Sequence, residues 1–184
     1  MNDCKKVRLF HQTDWEHVDS ILENGLYATL NGCGEPDPYP PRRLAVYGSD
    51  EHEIRQIAQN SKEGKVTDFA GNSLDNSAVI EFEVCTDEVM VGDIFAECQP
   101  RYLDTLVPYD EFLELTGGGE HFRGRWQEAE FFIPDEQFNP GFPYPTGARS
   151  STPRILPSQI KAVHRMKDLV DYHVEQRRES WVQA

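Results

Sequence analysis

Two apolar periods run along this chain, one helical and concentrated in the first half, the other alternating and dominant in the second. Val7 to Phe10 is short and apolar at alternate positions, which predicts a first strand that delivers His11 at its end. Thr13 then opens a helix. Thr13-Asp14-Trp15-Glu16 fits a capping box, Trp15, Val18, Ile21 and Leu22 share one helical face, and Gly25 supplies a left-handed stop. Between Asn31 and Pro41, the glycines 32 and 34 and the prolines 36, 38, 40 and 41 exclude regular structure. Leu44-Ala45-Val46-Tyr47 reads as the next strand, and Ser49 as the cap of a helix carrying Ile54, Ile57 and Ala58 before Gly64.

In the second half, Ala78, Ile80, Phe82 and Val84 alternate with Glu81, Glu83 and Cys85, the period of a strand with one face in the core and one in water. Val89 to Ile94 forms another strand. Pro108 starts a short helix through Leu115, and Gly117-Gly118-Gly119 begins a flexible loop. Ala129 to Ile133 and Ile160 to His164 complete a set of five or six strands, and a final helix begins near Asp168 with Leu169, Tyr172 and His173 on it. Strands crowded into the second half predict an α+β fold with a strongly bent, mostly antiparallel sheet rather than a doubly wound parallel one. At 184 residues the expectation is a single domain over 1–184.

Charge and cysteine content narrow the setting. Acidic residues outnumber basic ones 32 to 18, a formal charge of -14, so the overall field repels nucleic acid. A few arginines at one groove can still overcome a distant negative surface. Cys4, Cys33, Cys85 and Cys98 have no C-x-x-C pairing and no matched histidines, which favours ordinary reduced thiols over a structural metal site. No apolar run stands behind the charged N-terminal residues, and a soluble cytoplasmic protein without a membrane partner is expected.

Chemistry concentrates in a few places. Glu128 and Glu130 are two apart on a strand and project the same way. Tyr47 ends a strand, where its ring can stack on a planar cation or pack as a half-buried core residue. Arg42 and Arg43 suit a pyrophosphate or a solvated charge pair. The loop from Gly117 to Gln127 carries His121, Phe122, Arg123, Arg125 and Trp126, basic and aromatic side chains of the kind a nucleobase or an acidic acceptor needs. His11 and Thr13 taken alone read as a structural histidine and a cap.

The segments Phe10-His11-x-Thr13, Ile21-Leu22-x-x-Gly25-Leu26 and Gln127-Glu128-Ala129-Glu130-Phe131-Phe132-Ile133-Pro134 together resemble ADP-ribosyltransferases, especially the DNA-modifying toxins of toxin-antitoxin systems, and also the tRNA 2'-phosphotransferases that share the fold. Ile155-Leu156-Pro157-x-x-Ile160 adds to the likeness. The resemblance implies a split, mostly antiparallel sheet with NAD+ as co-substrate in a cleft between its halves, and no metal. It gives His11 the adenosine ribose, Thr13 the dinucleotide, Tyr47 the nicotinamide ring and Arg43 the pyrophosphate. Glu130 becomes the catalytic glutamate with Glu128 as its partner, and Arg123, Arg125 and Trp126 bind the acceptor. The implied activity is mono-ADP-ribosyl transfer in a toxin, effector or phage-defence component with a possible antitoxin or immunity protein. A nucleic-acid acceptor is slightly favoured over an arginine side chain. NAD glycohydrolysis and a non-catalytic binding module of the same fold remain the alternatives.

Overall fold

The computed structural model describes residues 4–30, 44–51, 73–93, 106–117, 129–135 and 148–182. Within them the strands are β1 (Lys6–Asp14), β2 (Leu26–Leu30), β3 (Leu44–Gly48), β4 (Ser77–Cys85), β5 (Met90–Asp93), β6 (Val107–Pro108), β7 (Ala129–Pro134), β8 (Arg149–Ile155) and β9 (Ile160–Arg165). The helices are α1 (Val18–Asn24), α2 (Tyr109–Thr116) and α3 (Met166–Val182). The expected α+β class with antiparallel pairing is what the structure has. Every strand pair is antiparallel, in a three-stranded sheet ordered β1-β4-β9 and a six-stranded sheet ordered β6-β5-β7-β3-β2-β8.

The two sheets meet where β1 passes β3. Among the described residues one bridge joins them: Phe10 and Ser49 exchange both backbone hydrogen bonds, at 2.9 and 2.8 Å. The main apolar cluster, with Leu9, Ile80 and Phe82 from one sheet and Val46, Val91, Phe131 and Ile133 from the other, fills the space inside that bend. A second cluster, Phe10, Leu74, Val79, Met166 and Val170, lies under α3.

Several expectations change. Strand β1 continues past Phe10 to Asp14, so His11 and Thr13 lie within a strand and not after one. The backbone decides this, because Gln12 and Thr13 are paired with Val79 and Ala78 in the β4 ladder, and Trp15 N–H donates to the carbonyl of Asn76 at 2.9 Å. The cap position passes to Asp14, which makes no side-chain cap bond; a short 3-10 turn over Trp15–His17 comes first and α1 starts only at Val18. Gly25 does end the helix at positive φ, 83°, but with extended ψ of -177° and not in the left-handed helical region. Pro108 precedes α2 as expected, with Asp110 and Glu111 in the first turn where helix N-termini favour negative charge.

The alternation of β4 survives only in its second half, since Val79 and Ile80 are both buried. Val79 meets α3, which covers the face that periodicity assigned to water. The described residues hold nine strands where five or six were expected. Strands β2 and β8 escaped notice because their pairing is broken by register shifts around Tyr27, which erase any clean period. Finally, Cys4 and Cys85 are not free thiols but a disulfide, which joins the start of β1 to the end of β4. Cys85 is opposite Lys6 in the ladder, so the pairing of β1 with β4 brings together two cysteines 81 residues apart.

Candidate active site

Strands β1, β3 and β7 run side by side across the junction of the sheets, and each carries one of the residues singled out for NAD+ chemistry. His11 lies on β1, on the same side as Leu9 and Thr13, just beyond the point where the main core ends. Its Nδ1 is 2.7 Å from the carbonyl oxygen of Tyr47 on β3. A carbonyl only accepts, so Nδ1 carries the proton. In the neutral ring Nε2 is then left as an acceptor, suited to a hydroxyl group. Burial lowers the pKa of His11 below the ordinary histidine value, while the Tyr47 carbonyl pulls the other way and only partly offsets it. The imidazole is therefore neutral at neutral pH.

Tyr47 is half-buried and opposes Phe132 of β7, their ring centroids 6.1 Å apart and tilted by 34°. Two residues along the same strand, and so on the same face, is Glu130. It is buried with 7% exposure, opposite Gly92 of β5, which presents no side chain toward it. Thr13 is half-buried and pairs with Ala78.

Ser49, expected to cap a helix whose residues 52–64 lie outside the described residues, donates its hydroxyl to the carbonyl of Phe10 at 3.3 Å, and continuing the β3–β7 register one step beyond Gly48–Phe131 sets it across from Glu130. Serine two residues after a strand tyrosine carries no signal of this, because Ser-Asp is equally a helix opening.

Other contacts hold the frame. Arg154 of β8 donates through Nε to the carbonyl of Pro134 at 2.8 Å and pairs with Glu88 at 2.9 Å, fastening the end of β7 to the turn before β5. Of the remaining candidates, Glu128, Arg42, Arg43, Arg123, Arg125 and Trp126 lie outside the described residues. Among the described residues, Asp14, Glu16 and His17 bring ligand atoms within 4.8 Å of one another, but all three are exposed, at the end of β1 and on the turn after it, where such groups commonly stand without an ion.

No family model, no curated protein and no solved structure matches the chain significantly. No helix among the described residues is long and apolar enough to cross a membrane.

Proposed function

We propose that this chain is a mono-ADP-ribosyltransferase that cleaves the nicotinamide–ribose bond of NAD+ and passes ADP-ribose to a macromolecular acceptor, a nucleic-acid base before a protein side chain. The observation that carries the reading is that His11, Tyr47 and Glu130 lie on strands gathered at the junction of the two sheets. Their strands are neighbours, His11 is hydrogen-bonded to the backbone of Tyr47, and the Tyr47 ring contacts Phe132, two residues from Glu130. Residues 11, 47 and 130 have no reason in local sequence to converge at the junction of two sheets.

The chemistry follows from what these groups offer. His11 accepts a ribose hydroxyl at Nε2, with Thr13 beside it on the same face of β1. Tyr47 stacks on the nicotinamide cation. As the N–C1' bond breaks, its electron pair moves to the pyridinium nitrogen and neutral nicotinamide departs, leaving positive charge on the sugar. Glu130, hydrogen-bonded to the 2'-hydroxyl, stabilises that charge more in the transition state than in the ground state. The acceptor then bonds to C1' and gives up its proton. The nucleic-acid acceptor rests on the basic and aromatic composition of residues 117–127, set against a net charge of -14. A toxin, effector or defence component, held in check by an antitoxin or immunity protein, is the role that fits such an activity.

The test is incubation with radiolabelled NAD+ and a mixture of single-stranded DNA, RNA and lysate protein, beside Glu130→Gln. Label removed by nuclease supports a nucleic-acid transferase and label removed by protease a protein transferase; in either case Glu130→Gln lowers the rate by at least about a hundredfold, as loss of a transition-state contact does. Free ADP-ribose formed at full rate without a macromolecule makes the protein a glycohydrolase. Intact NAD+ and no label would sink the transferase reading and leave a binding module of the same fold.

A further inference from the structure

Phe132 is a buried core residue, 1% exposed, and its ring contacts that of Tyr47. Its neighbours on β7, Phe131 and Ile133, point into the main core, and by the alternation of a strand Phe132 points out of the opposite face. There it stands in a cross-strand row between Met90 of β5 and Tyr47 of β3. The next position on that face of β7 is Glu130. A large buried aromatic residue thus contacts the Tyr47 ring on the face of β7 that also carries Glu130.

We propose that Phe132 is a positioning residue for the nicotinamide half of NAD+: its ring is the wall against which the Tyr47 ring lies, and it fixes the spacing between that ring and Glu130. This rests on the transferase reading and deepens it. Tyr47 is half-buried, and the Phe132 contact, at 6.1 Å between centroids, limits how its ring tilts. A stacking surface discriminates only if its plane is held, because a ring free to turn loses orientational entropy on binding. The adenosine half is met at His11, on the other sheet, and does not depend on Phe132.

The experiment compares the affinity of a non-hydrolysable NAD+ analogue with that of ADP-ribose, which lacks only nicotinamide, in the wild type and in Phe132→Leu, Phe132→Tyr, Tyr47→Ala and the Phe132→Leu/Tyr47→Ala double variant. Phe132→Leu keeps an apolar side chain but removes the flat wall. It is expected to weaken the analogue roughly three- to tenfold, the scale of one aromatic contact, with ADP-ribose changed less than about twofold. Phe132→Tyr, which retains the ring, restores affinity, and the double variant is no weaker than Tyr47→Ala alone. Equal weakening of both ligands, or additive losses in the double variant, would show Phe132 to be an ordinary packing residue and overturn the proposal. If Phe132→Leu does not fold, as judged by its thermal transition, Phe132→Tyr and Phe132→Met carry the same comparison. Wild type that binds neither ligand removes the transferase reading and this inference together; wild type that binds both, with all Phe132 variants unchanged, removes this inference alone.

Discussion

His11 shows how one side chain acquires a state that its sequence neighbourhood does not specify. Its Nδ1–H is committed to the Tyr47 carbonyl and burial disfavours the charged ring, so folding lowers its pKa. The sign of the consequence follows from proton counting. An unfolded histidine takes up its proton at about pH 6.5, whereas the folded one resists until lower pH, so the unfolded state binds more protons in that interval. Stability contributed by His11 is complete above about pH 7 and falls as pH drops through about 6.5, levelling off below the folded pKa. His11→Asn keeps an amide donor near the position of Nδ1 but cannot titrate. Urea midpoints measured from pH 8 to pH 5 are therefore expected to fall more steeply in the wild type than in His11→Asn, and parallel curves would show that His11 is not the buried neutral imidazole described. Thr13 teaches the same lesson in reverse: its hydroxyl and spacing suit a cap, yet the β4 ladder had prior use of its backbone.

Elements were legible in proportion to how regular they are. Strand β4 and the β7 run from Ala129 to Ile133 announced themselves by composition and period, whereas β2 and β8 did not, because a bulged pair has no constant period to read. The bulges have their own satisfied chemistry: Ser150 Oγ accepts from the Ala28 N–H at 3.0 Å and donates to the Thr152 carbonyl at 2.7 Å, hydrogen bonds that regular pairing would have supplied. Gly25, between α1 and β2, was recognised as a stop, but the depth of the requirement comes from β8. A Cβ there would run into the carbonyl oxygen of Ile155 and lie 3.0 Å from Pro153 Cβ, at a φ of 83°. Gly117 also has positive φ, 68°, but nothing within 4 Å. Gly25→Ala is expected to cost more than about 2 kcal/mol, backbone strain and overpacking combined, against about 1 kcal/mol for Gly117→Ala. Denaturant titration of the two variants measures the difference, and equal losses would mean that the approach of β8 to Gly25 is not tight.

Across the whole molecule, two ties join parts that the chain separates. One is the Cys4–Cys85 disulfide, expected from composition to be two free thiols; its closure of a loop with a sequence separation of 81 corresponds, in the chain-entropy account, to about 4.5 kcal/mol. Cys4→Ser should lower stability in denaturant by an amount of that order, and the wild type should lose the same amount in a dithiol reductant while Cys4→Ser does not respond. A wild type insensitive to reductant would mean that the two sulfurs are not bonded. Such bonds persist in oxidising surroundings, so this feature pulls against the cytoplasmic setting that the sequence suggested. The other tie is the junction of the two sheets, the backbone bridge at Phe10 and Ser49 reinforced by the His11–Tyr47 bond.

The sequence by itself determined what depends on neighbours along the chain: the α+β class, the alternation in the second half of β4, the strand that carries Tyr47, the strand bearing Glu130, the proline and glycine boundaries of α2. Tertiary structure alone decided which strands became neighbours, and with that the length of β1, the covering of β4 by α3, the disulfide, the neutral state of His11 and the place of Phe132 behind Tyr47. The physical reason is that periodicity reports the burial of one face of one element, whereas pairing and register are settled by the summed packing of residues that are distant in sequence. His11, Tyr47 and Glu130 each stand out in the sequence; that their strands come together is a property of the β3–β7 pairing and of the bridge between β1 and the end of β3, and of nothing shorter.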